Sequence, residues 1–162
     1  MRHDSRDSRT YASNAGGELI ALRICATMAA KRGPMARHKR LFLVVEDFED
    51  SRFMMRRLLE MAGYSVLEAS DGEEAIELAV AERPELILMD LSLPKLDGLA
   101  ATRRIRQHRS LSQVPIVAVS AHDSPGSRTE ALAAGCDEYV TKPIDFDQLS
   151  SLLNRLLPGR PD

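Results

Sequence analysis

Leu41-Phe42-Leu43-Val44-Val45-Glu46-Asp47 sets five apolar residues, with no polar alternation, directly before two adjacent acids. A strand that is apolar at every position has both faces covered, which is the condition of a central strand in a parallel sheet. The same pattern returns at Leu86-Ile87-Leu88-Met89-Asp90, where an apolar run again ends on an acid. Outward from these two, Ser65-Val66-Leu67-Glu68-Ala69 reads as a strand nearer a sheet edge, because its ends are polar. Ile116-Val117-Ala118-Val119 follows Pro115, whose missing N–H is tolerated at a strand's first position. Glu138-Tyr139-Val140-Thr141 completes the set.

Helical patterns fill the gaps. The first, about Glu49 to Ala62, is expected to carry Met54, Leu58 and Met61 inward and to stop at Gly63. Asp71 and Glu74 form an Asp-x-x-Glu capping box that opens a second helix, with Ala75, Leu78 and Ala79 on its inner stripe and Pro84 beyond its end. The third spans about Gly98 to Gln107, and a short fourth about Gly126 to Ala134. Asp145 and Gln148 repeat the capping device before Leu149, Leu152, Leu153 and Leu156, an i, i+3, i+4, i+7 face. Strand and helix patterns that alternate in this way predict an α/β protein with five βα units around a parallel sheet.

The chain has 162 residues, 44% of them hydrophobic and 28% charged, which suits one soluble globular domain and argues against wholesale disorder. Its net charge of -2 conceals an asymmetry: residues 1–40 carry +6 and residues 41–162 carry -8. Residues 1–38, rich in Arg, Ser, Gly and Ala without apolar periodicity, are expected to be a basic, disordered extension or an overlong start. Residues 39–158 form the expected domain and 159–162 a tail. The stretch Leu19-Ile20-Ala21-Leu22 is broken by Arg23, too short for an export signal or a membrane span. Cys25 and Cys136 lie far apart, which suits a reducing cytoplasm. Arg103, Arg104, Arg106, His108 and Arg109 form a basic run read as a solvated face, and Cys136 is expected to pack in the core.

The polar residues that close the apolar runs carry the chemistry. In an open α/β sheet the carboxyl ends of the strands converge on one crevice, where ligands bind. Glu46, Asp47, Asp90, Ser120 and Lys142 would therefore share one pocket. Carboxylates that close call for a hard cation such as Mg²⁺, and an ammonium and a hydroxyl beside them suit an anionic group, so phosphoryl chemistry on Asp90 is expected.

At these residues the chain resembles a known family. Val44-Val45-Glu46-Asp47, Leu86-Ile87-Leu88-Met89-Asp90, Leu93-Pro94-Lys95-Leu96-Asp97-Gly98, Val117-Ala118-Val119-Ser120-Ala121 and Tyr139-Val140-Thr141-Lys142-Pro143 together look like the receiver domain of two-component response regulators. The resemblance spans residue 41 to about 157 and implies a doubly wound, flavodoxin-like (βα)₅ fold of strand order 2-1-3-4-5. It implies a Mg²⁺ site at Glu46, Asp47, Asp90 and the main-chain carbonyl of Ser92, with Asp90 as phosphoacceptor and Lys142 and Ser120 on the phosphoryl group. Ser120 and Tyr139 would form the switch, His122 would sit where side chains tune dephosphorylation, and the Lys142-Pro143 bond would be cis. Glu46 stands where the family more often has aspartate, and its longer arm is expected to reach metal through water. Ser120 stands where threonine is commoner and keeps the hydroxyl.

The function so implied is a stand-alone, cytoplasmic regulator, a signalling protein and not an enzyme in the ordinary sense. It would take a phosphoryl group from a histidine kinase or phosphotransfer protein and change its hold on a downstream target through the face of the fourth helix, fifth strand and fifth helix. No DNA-binding domain and no membrane contact are expected. Three alternatives are a haloacid-dehalogenase-type phosphatase, a constitutive non-phosphorylated interaction module, and nucleic-acid binding through the basic first segment. The phosphatase needs an Asp-x-Asp nucleophile, whereas Leu91 and Ser92 follow Asp90.

Overall fold

The computed structural model describes residues 39–157. The expected extension at residues 1–38, with Cys25, and the tail at 159–162 lie outside the described residues. Strand β1 (Leu41–Val45) leads into helix α1 (Glu49–Met61), then β2 (Ser65–Ala69), α2 (Gly72–Glu82) and β3 (Leu86–Asp90). Helix α3 (Gly98–Gln107) and a 3₁₀ turn (Arg109–Leu111) precede β4 (Ile116–Ser120), α4 (Pro125–Ala134), β5 (Glu138–Thr141) and α5 (Phe146–Leu156). All the strands pair in parallel, in the order β2-β1-β3-β4-β5. This is the doubly wound order that the family resemblance implies.

The unbroken apolar strands divide their side chains between two cores. Phe42, Val44, Leu86, Leu88, Val117 and Val119 point to one side, where Leu59 of α1 and Leu149, Leu152 and Leu153 of α5 cover them. Leu43, Val45, Ile87, Met89, Ile116 and Ala118 point to the other, against Ala75 and Ala79 of α2, Ala101 and Ile105 of α3, and Ala131 of α4. Successive strand residues face opposite ways, so a strand between two helical layers must be apolar throughout.

Helix α1 is rotated from its expected register. Met54 and Met61 are 59% and 74% exposed, whereas Leu59 is wholly buried and Met55, Leu58 and Ala62 pack beside it. Both sets have helical spacing. Burying a leucine side chain is worth roughly 1.5–3 kcal/mol, and the rotation that buries Leu59 also turns Arg52 and Arg56 toward Glu68 on β2, at 3.5 and 3.2 Å. Gly63, at φ +91°, supplies the left-handed residue just past the helix.

The caps of the later helices form largely as expected. Asp71 Oδ1 accepts from the N–H groups of Glu73 and Glu74 at 3.0 and 2.9 Å, although Glu74 reaches back to the N–H of Ser70 rather than to that of Asp71. Helix α4 begins at Pro125, one residue before the expected start, because Ser124 caps it and proline is favoured in the first turn. Arg106 does not belong to the solvated basic face. It donates to the carbonyls of Gly135, Leu111 and Val114 at 2.8, 3.0 and 2.7 Å and pairs with Asp137 at 2.7 Å, joining α3 to the segments before β4 and β5. Cys136 is buried beside Thr102, and burial pushes its thiol up. No described helix is long and apolar enough to cross a membrane.

Candidate functional site

The parallel sheet brings the expected residues together at its carboxyl edge. Glu46 and Asp47 follow β1, Asp90 is the last residue of β3, Ser120 the last of β4, and Lys142 the first beyond β5. Carboxylate oxygens of Glu46, Asp47 and Asp90 lie within 4.8 Å of one another. Glu46 and Asp90 are buried, and Asp47 is exposed. Gly98 opens α3 directly against the end of β3: a Cβ on it would stand 2.1 Å from the Asp90 carbonyl oxygen, so only glycine lets the helix approach the site this closely.

Lys142 answers part of the negative charge. Its Nζ lies 2.5 Å from Glu46 Oε2 and 2.6 Å from Asp90 Oδ2. Burial alone would lower the Lys142 ammonium, but hydrogen bonds to Asp90 and Glu46 outweigh it and raise its pKa, so the group stays charged. Glu46 is pushed up by burial and also by the Asp90 charge, against the hydrogen bond from Lys142. Asp90 Oδ1 accepts from Ser92 N–H at 2.8 Å, and Glu46 Oε1 from Phe48 N–H at 3.3 Å. Among the described residues the Asp47 carboxylate has no hydrogen-bond or ion-pair partner.

Three clustered carboxylates against one ammonium leave an excess of negative oxygen donors, two of them desolvated, which is the donor set that a hard divalent cation such as Mg²⁺ takes. The residues therefore fit that ion. Asp47, exposed and unpaired, offers oxygens without breaking an existing contact.

The hydroxyl side of the site is joined to the fold beyond it. Ser120 Oγ accepts from His122 N–H at 3.1 Å, and the Ser120 carbonyl accepts from Lys142 N–H at 2.8 Å. The Lys142-Pro143 peptide is cis. Tyr139 is buried, and its hydroxyl donates to the His122 carbonyl. The guanidinium of Arg128 lies 5.4 Å from the centre of the Tyr139 ring and donates to the Tyr139 carbonyl at 3.2 Å.

Sequence reasoning passed over two contacts around the site. Arg52 donates from Nη1 to the carbonyls of Glu46 and Asp47 at 2.8 and 3.4 Å. Lys95, in the loop after Asp90, pairs with buried Asp71 at 2.5 Å. The i+5 and i+6 offsets of Arg52 from the two acids could have drawn attention to the first. Nothing local marks the second, whose partners are 24 residues apart. An apolar groove of about 570 Å³ lies beside Lys142, lined by Met54, Met55 and Leu58 of α1 and by Pro143 and Ile144.

Comparisons with known proteins agree with this geometry. The family model described as "Response regulator receiver domain" matches residues 42–154. The chain is 38% identical over 115 residues to the response regulator MprA of Mycolicibacterium vanbaalenii, covering 71% of this chain and 49% of that protein. It is 37% identical over 115 residues to the polar-differentiation response regulator DivK of Brucella anthropi, covering 71% of this chain and 94% of that one. The chain thus spans about half the length of MprA and nearly all of DivK. Among solved structures, the receiver domain of sensor histidine kinase PA1611 from Pseudomonas aeruginosa, with magnesium coordinated in its active-site cleft, matches with a TM-score of 0.71 and 36% identity over 75% of this chain and 99% of that one. Such domains are signalling proteins rather than enzymes in the ordinary sense, and histidine kinases are the partners they imply. Strand order, the acidic cluster at the strand ends and the matched residues converge on one assignment, and the chain belongs to the response regulator receiver domain family of two-component systems.

Proposed function

We propose that Asp90 accepts a phosphoryl group from the phosphohistidine of a histidine kinase or phosphotransfer protein in the cytoplasm, and that phosphorylation changes the binding of a downstream protein. The observation that carries this reading is the buried Asp90 carboxylate at the end of β3, 2.6 Å from the Lys142 ammonium and clustered with Glu46 and Asp47. A carboxylate oxygen of Asp90 attacks phosphorus, the P–N bond to the donor imidazole breaks as the O–P bond forms, and the imidazole leaves with a proton from solvent. Asp47, Asp90 and the Ser92 carbonyl, with Glu46 beside them, would hold Mg²⁺, which when bound would supply positive charge for the transferring oxygens.

The chain's own residues do the rest. Lys142, already poised on Asp90, pairs with a phosphoryl oxygen once the acid is esterified. Ser120 Oγ accepts a hydrogen bond from His122 and so retains its own hydrogen for another phosphoryl oxygen. A shift of Ser120 acts on the His122 backbone, whose carbonyl holds the Tyr139 hydroxyl, and so reaches the face formed by α4, β5 and α5. Leu132 of α4 and Phe146 of α5 are exposed apolar side chains and suit a target with an apolar contact surface. The groove beside Lys142 suits a helix that presents the donor histidine to Asp90.

The test is incubation with acetyl phosphate and Mg²⁺ followed by intact-mass measurement. Wild type gains one phosphoryl mass that hydroxylamine removes, and Asp90→Asn gains none, because an amide is not a nucleophile. Equal labelling of Asp90→Asn refutes the assignment.

A further inference from the structure

Glu46 and Asp90 have their carboxylates fixed by contacts of their own: Lys142 holds both, Phe48 N–H meets Glu46 and Ser92 N–H meets Asp90. The Asp47 carboxylate has no such partner among the described residues, so the backbone from which it projects is what positions it. That backbone is held by Arg52. The guanidinium donates from Nη1 to the carbonyls of both Glu46 and Asp47, fixing the two peptide planes on which the acids stand. Its other edge faces β2, where Glu68 Oε1 lies 3.5 Å from Arg52 Nε. Glu68 is opposite Val44 in the strand pairing, and its second oxygen lies 3.2 Å from Arg56 Nε, an ion pair without hydrogen-bond geometry, so the carboxylate stands between two guanidinium groups. The Arg52 side chain is 18% exposed, which strengthens its bonds to the carbonyls relative to a freely solvated arginine.

We infer that Arg52 is a positioning residue for the cation site: oriented by Glu68, it clamps the main chain of Glu46 and Asp47 and so aims the Asp47 carboxylate at the metal. The inference rests on the reading of Glu46, Asp47 and Asp90 as a Mg²⁺ site. A planar guanidinium suits the task because it reaches two carbonyls and a carboxylate at once, which an ammonium on a flexible stem does not. Groups that orient metal ligands typically change affinity by about 10- to 100-fold when removed.

The experiment measures Mg²⁺ affinity of the full chain by calorimetry, with melting temperature in EDTA recorded for each variant. Arg52→Met, which keeps the packed stem, is expected to weaken Mg²⁺ binding by about 10-fold or more. Arg52→Lys should recover part of the loss. Glu68→Gln should weaken binding in the same direction by less, and the Arg52→Met/Glu68→Gln double variant should bind no worse than Arg52→Met, because the two act through one contact. Asp47→Asn serves as the reference: if it leaves Mg²⁺ affinity intact, the metal site itself is misplaced. If Asp47→Asn loses binding while folded Arg52→Met binds as wild type, or if the Arg52 and Glu68 effects add, the clamp is refuted. Should Arg52→Met not fold, Arg52→Lys and Glu68→Gln decide, and unchanged affinity in both refutes the clamp.

Discussion

Lys142 Nζ and Asp90 Oδ2 stand 2.6 Å apart, and the same ammonium meets Glu46 at 2.5 Å, so one cation serves two buried carboxylates. Replacing Lys142 with Met leaves both acids buried without that counter-charge. Breaking a buried pair typically costs about 3–5 kcal/mol. Because the Lys142 side chain is 28% exposed, the expected loss without Mg²⁺ is smaller, about 2–3 kcal/mol. Magnesium should then restore stability, since it supplies the missing charge and no longer competes with the ammonium. Thermal melts in EDTA and in excess Mg²⁺ check this. The Mg²⁺-induced rise in Tm is expected to be larger in Lys142→Met than in wild type, and an equal or smaller rise would mean that Lys142 and the cation do not share the same carboxylates.

The Asp71–Lys95 contact gives a pH prediction. Asp71 is held below the usual carboxylate range, first by the N–H of Glu74 and then by the Lys95 ammonium. A carboxyl with a lowered folded-state pKa adds stability above its unfolded value, near 3.8, and loses it as pH falls through the folded value. Asp71→Asn keeps a cap oxygen but removes the charge. It should melt below wild type at neutral pH, and the gap should close as pH drops below about 3.8. A gap that persists at acid pH would assign the effect to geometry. The pair matters to the site because Lys95, at φ +62°, belongs to the loop that carries Ser92 away from Asp90.

The parts of the structure that were legible in the sequence share a physical signature. Strands β1, β3 and β4 read correctly because burial on both faces forces every residue to be apolar, and the acid or serine that ends each run marks the crevice without further information. Their strand order came from the family resemblance, since periodicity within a segment says nothing about which strand lies beside it. Helix α1 was misread in rotation: Met54, Leu58 and Met61 and the observed Met55, Leu58, Leu59 and Ala62 are equally good helical stripes. What separates them is the pairing of Arg52 and Arg56 with Glu68, a contact with another strand. Arg106 was misread for a similar reason. Its carbonyl partners belong to turns whose nearness to α3 only the assembled fold creates.

The first contacts of the sheet come from Arg40, whose carbonyl accepts from Ser65 N–H at 2.9 Å and whose guanidinium lies 3.5 Å from Glu85, and the compact unit starts at Lys39. Residues 1–38 carry a positive excess opposite to the core's, and their sequence has no apolar periodicity. Starting the chain at Met35 removes none of the contacts made by Arg40. The shortened protein is expected to fold, to lose less than about 1 kcal/mol against the roughly 5–15 kcal/mol of an ordinary domain, and to take up acetyl phosphate at the wild-type rate. Chemical denaturation and intact-mass labelling measure the two halves of this expectation separately. A truncated chain that fails to fold would place part of residues 1–34 inside the domain. One that folds but labels slowly would assign that segment a role at the site, and either result would move the boundary away from Lys39.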